Sequence, residues 1–270
     1  MRPKELAICG LSAVRSRFEN DPLSIMRLFF SRTIAPQIGD MCSTLAEARL
    51  IYRCVEPEEL ERISGSVHHG GIVAVVEQAP LRKPEFEEVR EWARRGEVLL
   101  VLDCIGNAHN LGAIVRSAAF FGVTKLVLAD HPLAAVPTEA TYRVAEGGLE
   151  HMDVFAVRHM DAFLRTIREF YEVVGAATRG GHPDVAFKSR KPVALVLGNE
   201  EQGLADEVAA ECDRLVTIPG SGRVESLNVS AAAAVLLWEC TRQRSETGSI
   251  PSGPPSRSQS THSRPPQPRR

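Results

Sequence analysis

Apolar residues along this chain fall into short unbroken runs, separated by stretches in which they return every three or four positions. The unbroken runs are VLLVLDC (98–104), KLVLAD (125–130), VFAV (154–157), YEVVGAAT (171–178), PVALVLG (192–198) and RLVTIP (214–219). A strand that is apolar at consecutive positions is covered on both faces, as in a parallel sheet flanked by helices. Helical spacing occupies most of the gaps, over 111–121, 139–146, 161–170, 205–211 and 224–240. The alternation predicts an α/β fold, with a mostly parallel sheet and helices on both faces, over residues 97–242. In such sheets ligands sit beyond the carboxyl ends of the strands. The loops after Cys104, Leu197 and Pro219 therefore share one candidate face.

The first 80 residues read as a smaller α/β unit with strands at LAICG, RLIYRC and GIVAVVE. Pro80 and Pro84 then break the pattern, and 81–96 reads as a linker with a short charged helix over 85–94. Residues 243–270 are rich in Pro, Ser and Arg, too polar to bury a core, and read as a disordered basic tail.

Composition adds constraints. The apolar content of 44% and charged content of 24% fit a soluble globular chain. No apolar run is long enough to span a bilayer, and the N-terminus lacks a signal-peptide pattern, which points to the cytoplasm. The six cysteines are scattered without a C-x-x-C pair, so they read as free thiols, and neither they nor His109, His131, His151 and His182 show metal-ligand spacing. No metal is expected. The net charge is -2, with 13 basic against 19 acidic residues over 97–242. Any grip on a nucleic acid has to come from local patches; the N-terminal candidates are Arg15, Arg17, Arg27, Arg32, Arg49 and Arg53.

Three loops carry the candidate chemistry. In DCIGNAHNLGAIVRSAAFFG, Asn110 is placed to cap the following helix and Gly122 to end it. Leu111, Ile114, Val115 and Ala118 share a core face, while Arg116 lies off it beside Gly112 and Ala119, where another backbone, a phosphate or a second subunit can come close. In LVLGNEEQGLADEV a buried strand runs into two carboxylates between glycines, and the absence of a lysine rules out a phosphate-cradling P-loop. In IPGSGRVESLNVSAAAAVLLWEC, glycines and polar residues precede a helix rich in alanine, and Ser226 or Asn228 can cap it. GSGRVE fails the dinucleotide fingerprint at its sixth position, which disfavours a nicotinamide-dependent oxidoreductase. Taken singly, each loop reads equally well as a surface arginine, a tight turn or a helix cap.

Taken together and in order, N-x-x-N-L-G-A-I-x-R-S-A, L-V-L-G-N-E-x-x-G-L and I-P-x-x-G-x-V-E-S-L-N-V-S-x-A resemble the three motifs of the SpoU (TrmH-like) family of RNA 2'-O-ribose methyltransferases, over about residues 98–239. The stretch before Pro80 resembles the L30e-like substrate-binding domain that often precedes them. RVAEGGLEH departs from the family's commoner Ser-x-Gly-Ala form, in the manner of its less characterised tRNA/rRNA branch. The resemblance implies a C-terminal trefoil knot, a homodimer, S-adenosylmethionine as cofactor and tRNA or rRNA as partner. It assigns the cofactor to Leu197, Gly198, Asn199, Gly203, Ile218, Pro219, Gly222, Leu227 and Asn228, with main-chain groups of Gly198, Ile218 and Leu227 on the adenine and ribose. It makes Arg116 the leading catalytic residue, with Asn110, Glu200, Ser226 and Asn228 at the other polar positions. The alternative is a non-catalytic RNA-binding or ribosome-assembly factor on the same fold.

Overall fold

The computed structural model of the chain describes residues 4–183 and 189–245, so the expected tail lies, beyond Ser245, outside the described residues. The N-terminal unit runs β1 (Glu5–Cys9), α1 (Leu11–Asn20), β2 (Ile25–Phe30), α2 (Gly39–Glu47), β3 (Ile51–Cys54), α3 (Pro57–Ser64) and β4 (Ile72–Glu77). Its sheet has the order β1-β4-β2-β3, antiparallel except for the β2–β3 pair. Alternating strand residues divide between two faces: Leu6, Ile8, Ala74 and Val76 meet α1 and α2, whereas Ala7, Cys9 and Val73 meet Leu60 of α3.

After α4 (Phe86–Arg94) comes the larger layer: β5 (Leu99–Leu102), α5 (Ala108–Phe120), β6 (Lys125–Ala129), α6 (Glu139–Ala145), β7 (Asp153–Val157), α7 (Met160–Ile167), β8 (Glu172–Ala176), β9 (Val193–Leu197), α8 (Asp206–Ala210), β10 (Arg214–Val216) and α9 (Val229–Ser245). The six strands are all parallel, in the order β10-β8-β9-β5-β6-β7. Leu100, Leu102, Leu126, Leu195 and Leu197 face α5 and α9; Leu99, Val101, Val127, Ala194 and Val196 face α4, α7 and α8. Burial on both faces explains why these strands read as continuous apolar runs. Among the described residues no helix is long and apolar enough to cross a membrane.

The segment expected as a linker contributes to this layer. α4 inserts Val89 and Trp92 into the second core, and Trp92 packs on Phe155 with ring centroids 5.1 Å apart. The N-terminal unit docks on the stretch from α6 to residue 151. Tyr142 packs against both cores, and Arg17 forms a 3.0 Å ion pair with the almost fully buried Glu150. Burial raises the Glu150 carboxyl pKa against the pull of Arg17. Of the N-terminal arginines, Arg17 is thus committed to the interdomain contact, while Arg15 and Arg27 pair with Asp40 and Glu5. Among the described residues, Arg32, Arg49 and Arg53 enter no ion pair.

Candidate active site

α5 begins three residues earlier than its apolar pattern predicts. Asn107, not Asn110, is the N-cap: its Oδ1 accepts the His109 N–H at 2.8 Å. Asn110 falls in the first turn, where its side chain is free to leave the helix. Its Nδ2 donates to Glu200 Oε1 at 2.8 Å, and its Oδ1 accepts from Asn228 Nδ2 at 3.2 Å. Asn228 in turn caps α9, its Oδ1 accepting from the Ser230 N–H at 2.8 Å and from the Ser230 hydroxyl at 2.6 Å. One hydrogen-bonded chain therefore ties the three loops together.

Glu200 is the anchor of that chain. Its Oε2 accepts the Gly106 N–H at 3.1 Å and its Oε1 the Asn107 N–H at 3.4 Å. Burial works to raise its pKa, but the Asn110 amide and the backbone donors outweigh it and hold the carboxyl below its ordinary value. A carboxylate so engaged fixes geometry; it is a poor proton acceptor. Glu200 is carried by a tight turn in which Asn199 and Gly203 exchange backbone hydrogen bonds of 2.8 and 2.9 Å. Asn199 fastens the turn to the first loop by donating from Nδ2 to the Cys104 carbonyl at 2.9 Å. Gly198 is glycine because the chain folds back on it: a Cβ there would lie 2.3 Å from Gly203 C. Gly203, at φ +76°, needs the left-handed backbone.

The third loop stays extended longer than its apolar spacing predicts. α9 starts at Val229 rather than near 224, because Asn228 and not an earlier residue supplies the cap. Among the described residues, the main-chain groups of 218–227 make no hydrogen bond to other main chain. Val224 and Leu227 are exposed in the same loop, as are Pro219 and Ser226, and Gly222 has φ +76° with open space where a Cβ would stand. Open donors and acceptors beside bare apolar side chains suit an adenosine, whose ring presents both an apolar face and polar edges. Ile218 is half-buried against the first core. Among the described residues Ser226 makes no hydrogen bond, so the structure does not join it to the chain of Asn110, Glu200 and Asn228.

Arg116 lies on an outer face of α5, with Nη1 2.8 Å from Glu146 Oε1. Its small neighbours do admit other backbone. A Cβ on Gly112 would meet Thr141 O at 2.8 Å, and one on Gly148 would meet Arg116 Cα at 3.3 Å. Arg116 lines neither of the two larger clefts. One of about 770 Å³ is lined by Asn107, Asn110, Glu200 and Gly203; the other, about 1240 Å³, lies between the two units and is lined by Lys4 and Lys83. Both include Ala129, His131 and Arg158 in their walls. Sequence reasoning missed Asn107, Glu146 and Arg158; only the competition between Asn107 and Asn110 for the cap was visible in the sequence.

Comparison with known proteins places this geometry in context. The SpoU rRNA methylase family matches residues 97–238, and the RNA 2'-O ribose methyltransferase substrate-binding family matches residues 7–82. The 23S rRNA (guanosine-2'-O-)-methyltransferase RlmB of Nitrosomonas europaea is 35% identical over 248 residues, covering 90% of this chain and 94% of its own. The uncharacterised tRNA/rRNA methyltransferase YfiF of Escherichia coli O157:H7 is 34% identical over 248 residues, covering 90% of this chain and 69% of its own. An AdoMet-bound rRNA methyltransferase from Sinorhizobium meliloti superposes with a TM-score of 0.73 at 26% identity, covering 88% of this chain and 87% of that one.

Proposed function

This chain belongs to the SpoU family and is an S-adenosylmethionine-dependent RNA 2'-O-ribose methyltransferase, and from that premise we propose how its residues divide the work. The observation that carries the reading is the hydrogen-bonded chain Glu200–Asn110–Asn228, which draws the three motifs together beside a loop of open main chain. S-adenosylmethionine, when bound, supplies a methyl group already activated by the positive charge on sulfur. Main-chain groups of Gly198, Ile218 and Leu227 hold its adenosine, with Leu197, Asn199, Gly203, Pro219 and Gly222 shaping the loops around it. Asn110, Glu200 and Asn228 lock those loops; Ser226, exposed on the third, is free to touch ligand. Arg116 anchors the phosphate next to the target ribose and so holds its 2'-oxygen in line with the methyl group.

The fold reading extends in the same way. Residues 1–80 form an L30e-like RNA-recognition domain, and 97–242 the catalytic domain, whose C-terminal stretch is tied in a trefoil knot. The knot reading is supported by the central place of β9, a late strand, and by the return of α9 over α5. The RNA, a tRNA or rRNA, enters along the interdomain cleft, where Lys4, Lys83 and Arg158 form no ion pair among the described residues. The protein works in the cytoplasm.

We also propose a homodimer. Phe120 is 83% exposed and Trp238 55% exposed, and Phe121 bridges them with ring centroids 5.2 and 5.9 Å away. An aromatic patch of this kind, continued by Val235 on α9, marks an association surface. It adjoins the Arg116 helix, so a partner there would complete the site. Trp238→Glu is expected to give a monomer in sedimentation, with methyl transfer lost and the circular dichroism unchanged. A wild-type protein that is active as a monomer at micromolar concentration would be decisive against the dimer.

The function is tested by calorimetry with S-adenosylmethionine and by mass mapping of ribose methylation on unmodified tRNA and 23S rRNA transcripts. Cofactor binding with appearance of 2'-O-methylated nucleotides is expected. RNA binding without cofactor binding would favour the non-catalytic alternative.

A further inference from the structure

The contact between Arg116 and Glu146 would be unremarkable as a surface ion pair, but Glu146 stands where a glutamate is out of place. It ends α6 with φ 47° and ψ 44°, the left-handed conformation that helix ends ordinarily give to glycine or asparagine. The turn it begins is gripped from both sides. From the N-terminal unit, the Ser12 hydroxyl donates to the Glu146 carbonyl at 3.0 Å and the Ser16 hydroxyl to the Gly147 carbonyl at 3.3 Å. Gly147, at φ +92°, passes α1 so closely that a Cβ would lie 2.9 Å from Ser16 Cβ. On the other side Gly148 rests against the backbone of α5 at Arg116.

A glycine at 146 would make this turn with less strain. What it lacks is the carboxylate, and that carboxylate meets the guanidinium at 2.8 Å. The same arginine borders a cleft of about 440 Å³ between α1 and α5, open to solvent. We propose that Glu146 is a positioning residue that acts as a stand-in anion: it occupies Arg116 until an RNA phosphate displaces it, and the docked N-terminal domain holds it there. The inference rests on the phosphate-anchoring reading of Arg116. The carboxylate makes binding at Arg116 conditional on a competing anion. Phosphate wins because the exposed ion pair is weak and because RNA binding releases condensed counterions.

The test uses the full chain and unmodified tRNA and 23S rRNA transcripts. Glu146→Gln keeps the shape of the side chain and removes its charge. RNA affinity is expected to rise about fivefold at low salt, because the same Arg116–phosphate contact then forms without first displacing a carboxylate. Affinity for S-adenosylmethionine should stay the same. In an Arg116→Ala background the gain should vanish. Glu146→Gly should raise Tm by relieving the backbone and bring the same gain in RNA affinity. A gain that persists without Arg116 would mean that Glu146 merely repels RNA by itself, and a higher Tm in the glycine variant with unchanged RNA affinity would reduce Glu146 to a helix end. Either overturns the inference. RNA binding that is unchanged in Glu146→Gln overturns it alone, whereas absence of RNA binding by the unaltered chain overturns the functional reading with it.

Discussion

Replacing Arg116 with alanine is expected to lower methyl transfer about a thousandfold while leaving S-adenosylmethionine affinity within a few-fold. The reasoning starts from the acceptor. A ribose hydroxyl is almost fully protonated at neutral pH, so the reaction depends on holding its oxygen in line with the methyl carbon as the proton leaves. Arginine is too weak an acid to serve readily as a base, but its planar fork is well shaped to grip a phosphate with two parallel hydrogen bonds. Arg116 is on the exposed side of α5, and the cofactor loops are tied together by Glu200, Asn110 and Asn228 without its help. Its removal should therefore separate catalysis from cofactor binding. Lysine should rescue poorly, because it offers a point charge in place of the fork. Calorimetry and single-turnover methylation on the same preparation check the two halves, and near-wild-type turnover in the alanine variant would remove Arg116 from the mechanism.

The second large effect is expected at Gly198. The ideal Cβ position lies 2.3 Å from Gly203 C and 2.4 Å from Leu204 N, so even alanine cannot be accommodated while the turn stays closed. The obstruction is main chain, held by the paired hydrogen bonds of Asn199 and Gly203, and no rotamer change relieves it. Gly198→Val should spring the turn, pull Glu200 from Gly106 and Asn110, and abolish cofactor binding. Because Gly198 directly follows the central strand β9, the strain should also cost about 2–3 kcal/mol of stability. If the glycine only cleared space for a ligand, the fold would instead be left intact. Denaturant melts and calorimetry on Gly198→Ala and Gly198→Val distinguish the two: full stability with lost cofactor binding would restore the ligand-clearance reading.

How much of this was legible in the sequence depends on the range of the interaction. The six parallel strands were readable because burial on both faces leaves a simple trace, a continuous apolar run. β2 was not, since Arg27 interrupts IMRLFF and breaks the continuous apolar run. The residues of the three motifs could be named, but not their connections. Asn107 and Asn110 lie three positions apart and either could cap α5; the choice is made by Glu200, which claims Asn110 from 90 residues away. Likewise Val224 and Leu227 continue the helical period of α9, and only the cap at Asn228 shows that they stay outside it. Nothing in RVAEGGLEH indicates that Glu146 reaches Arg116, because that contact depends on a close approach of α5 and α6 and on the docking of α1. Ser226 shows the converse: the motif singles it out, and the structure gives it no partner among the described residues.

The central place of β9 also bears on how the chain assembles. Residue 99 pairs with residue 194, so β5 emerges from the ribosome long before the neighbour that completes one of its edges. β6 and β7 can join the other edge at once, but β8 has no place in the sheet until residues 193–197 arrive and bridge it to β5; β10, made later still, then adds to β8. During that interval the nascent chain presents an unpaired edge of Leu99, Leu100, Val101 and Leu102, the kind of strand that recruits other chains. Non-local pairing of this sort folds slowly and is exposed to aggregation. Refolding from denaturant should accordingly be slow, with yields that fall as protein concentration rises, and chaperones should help most before residues 193–197 are made.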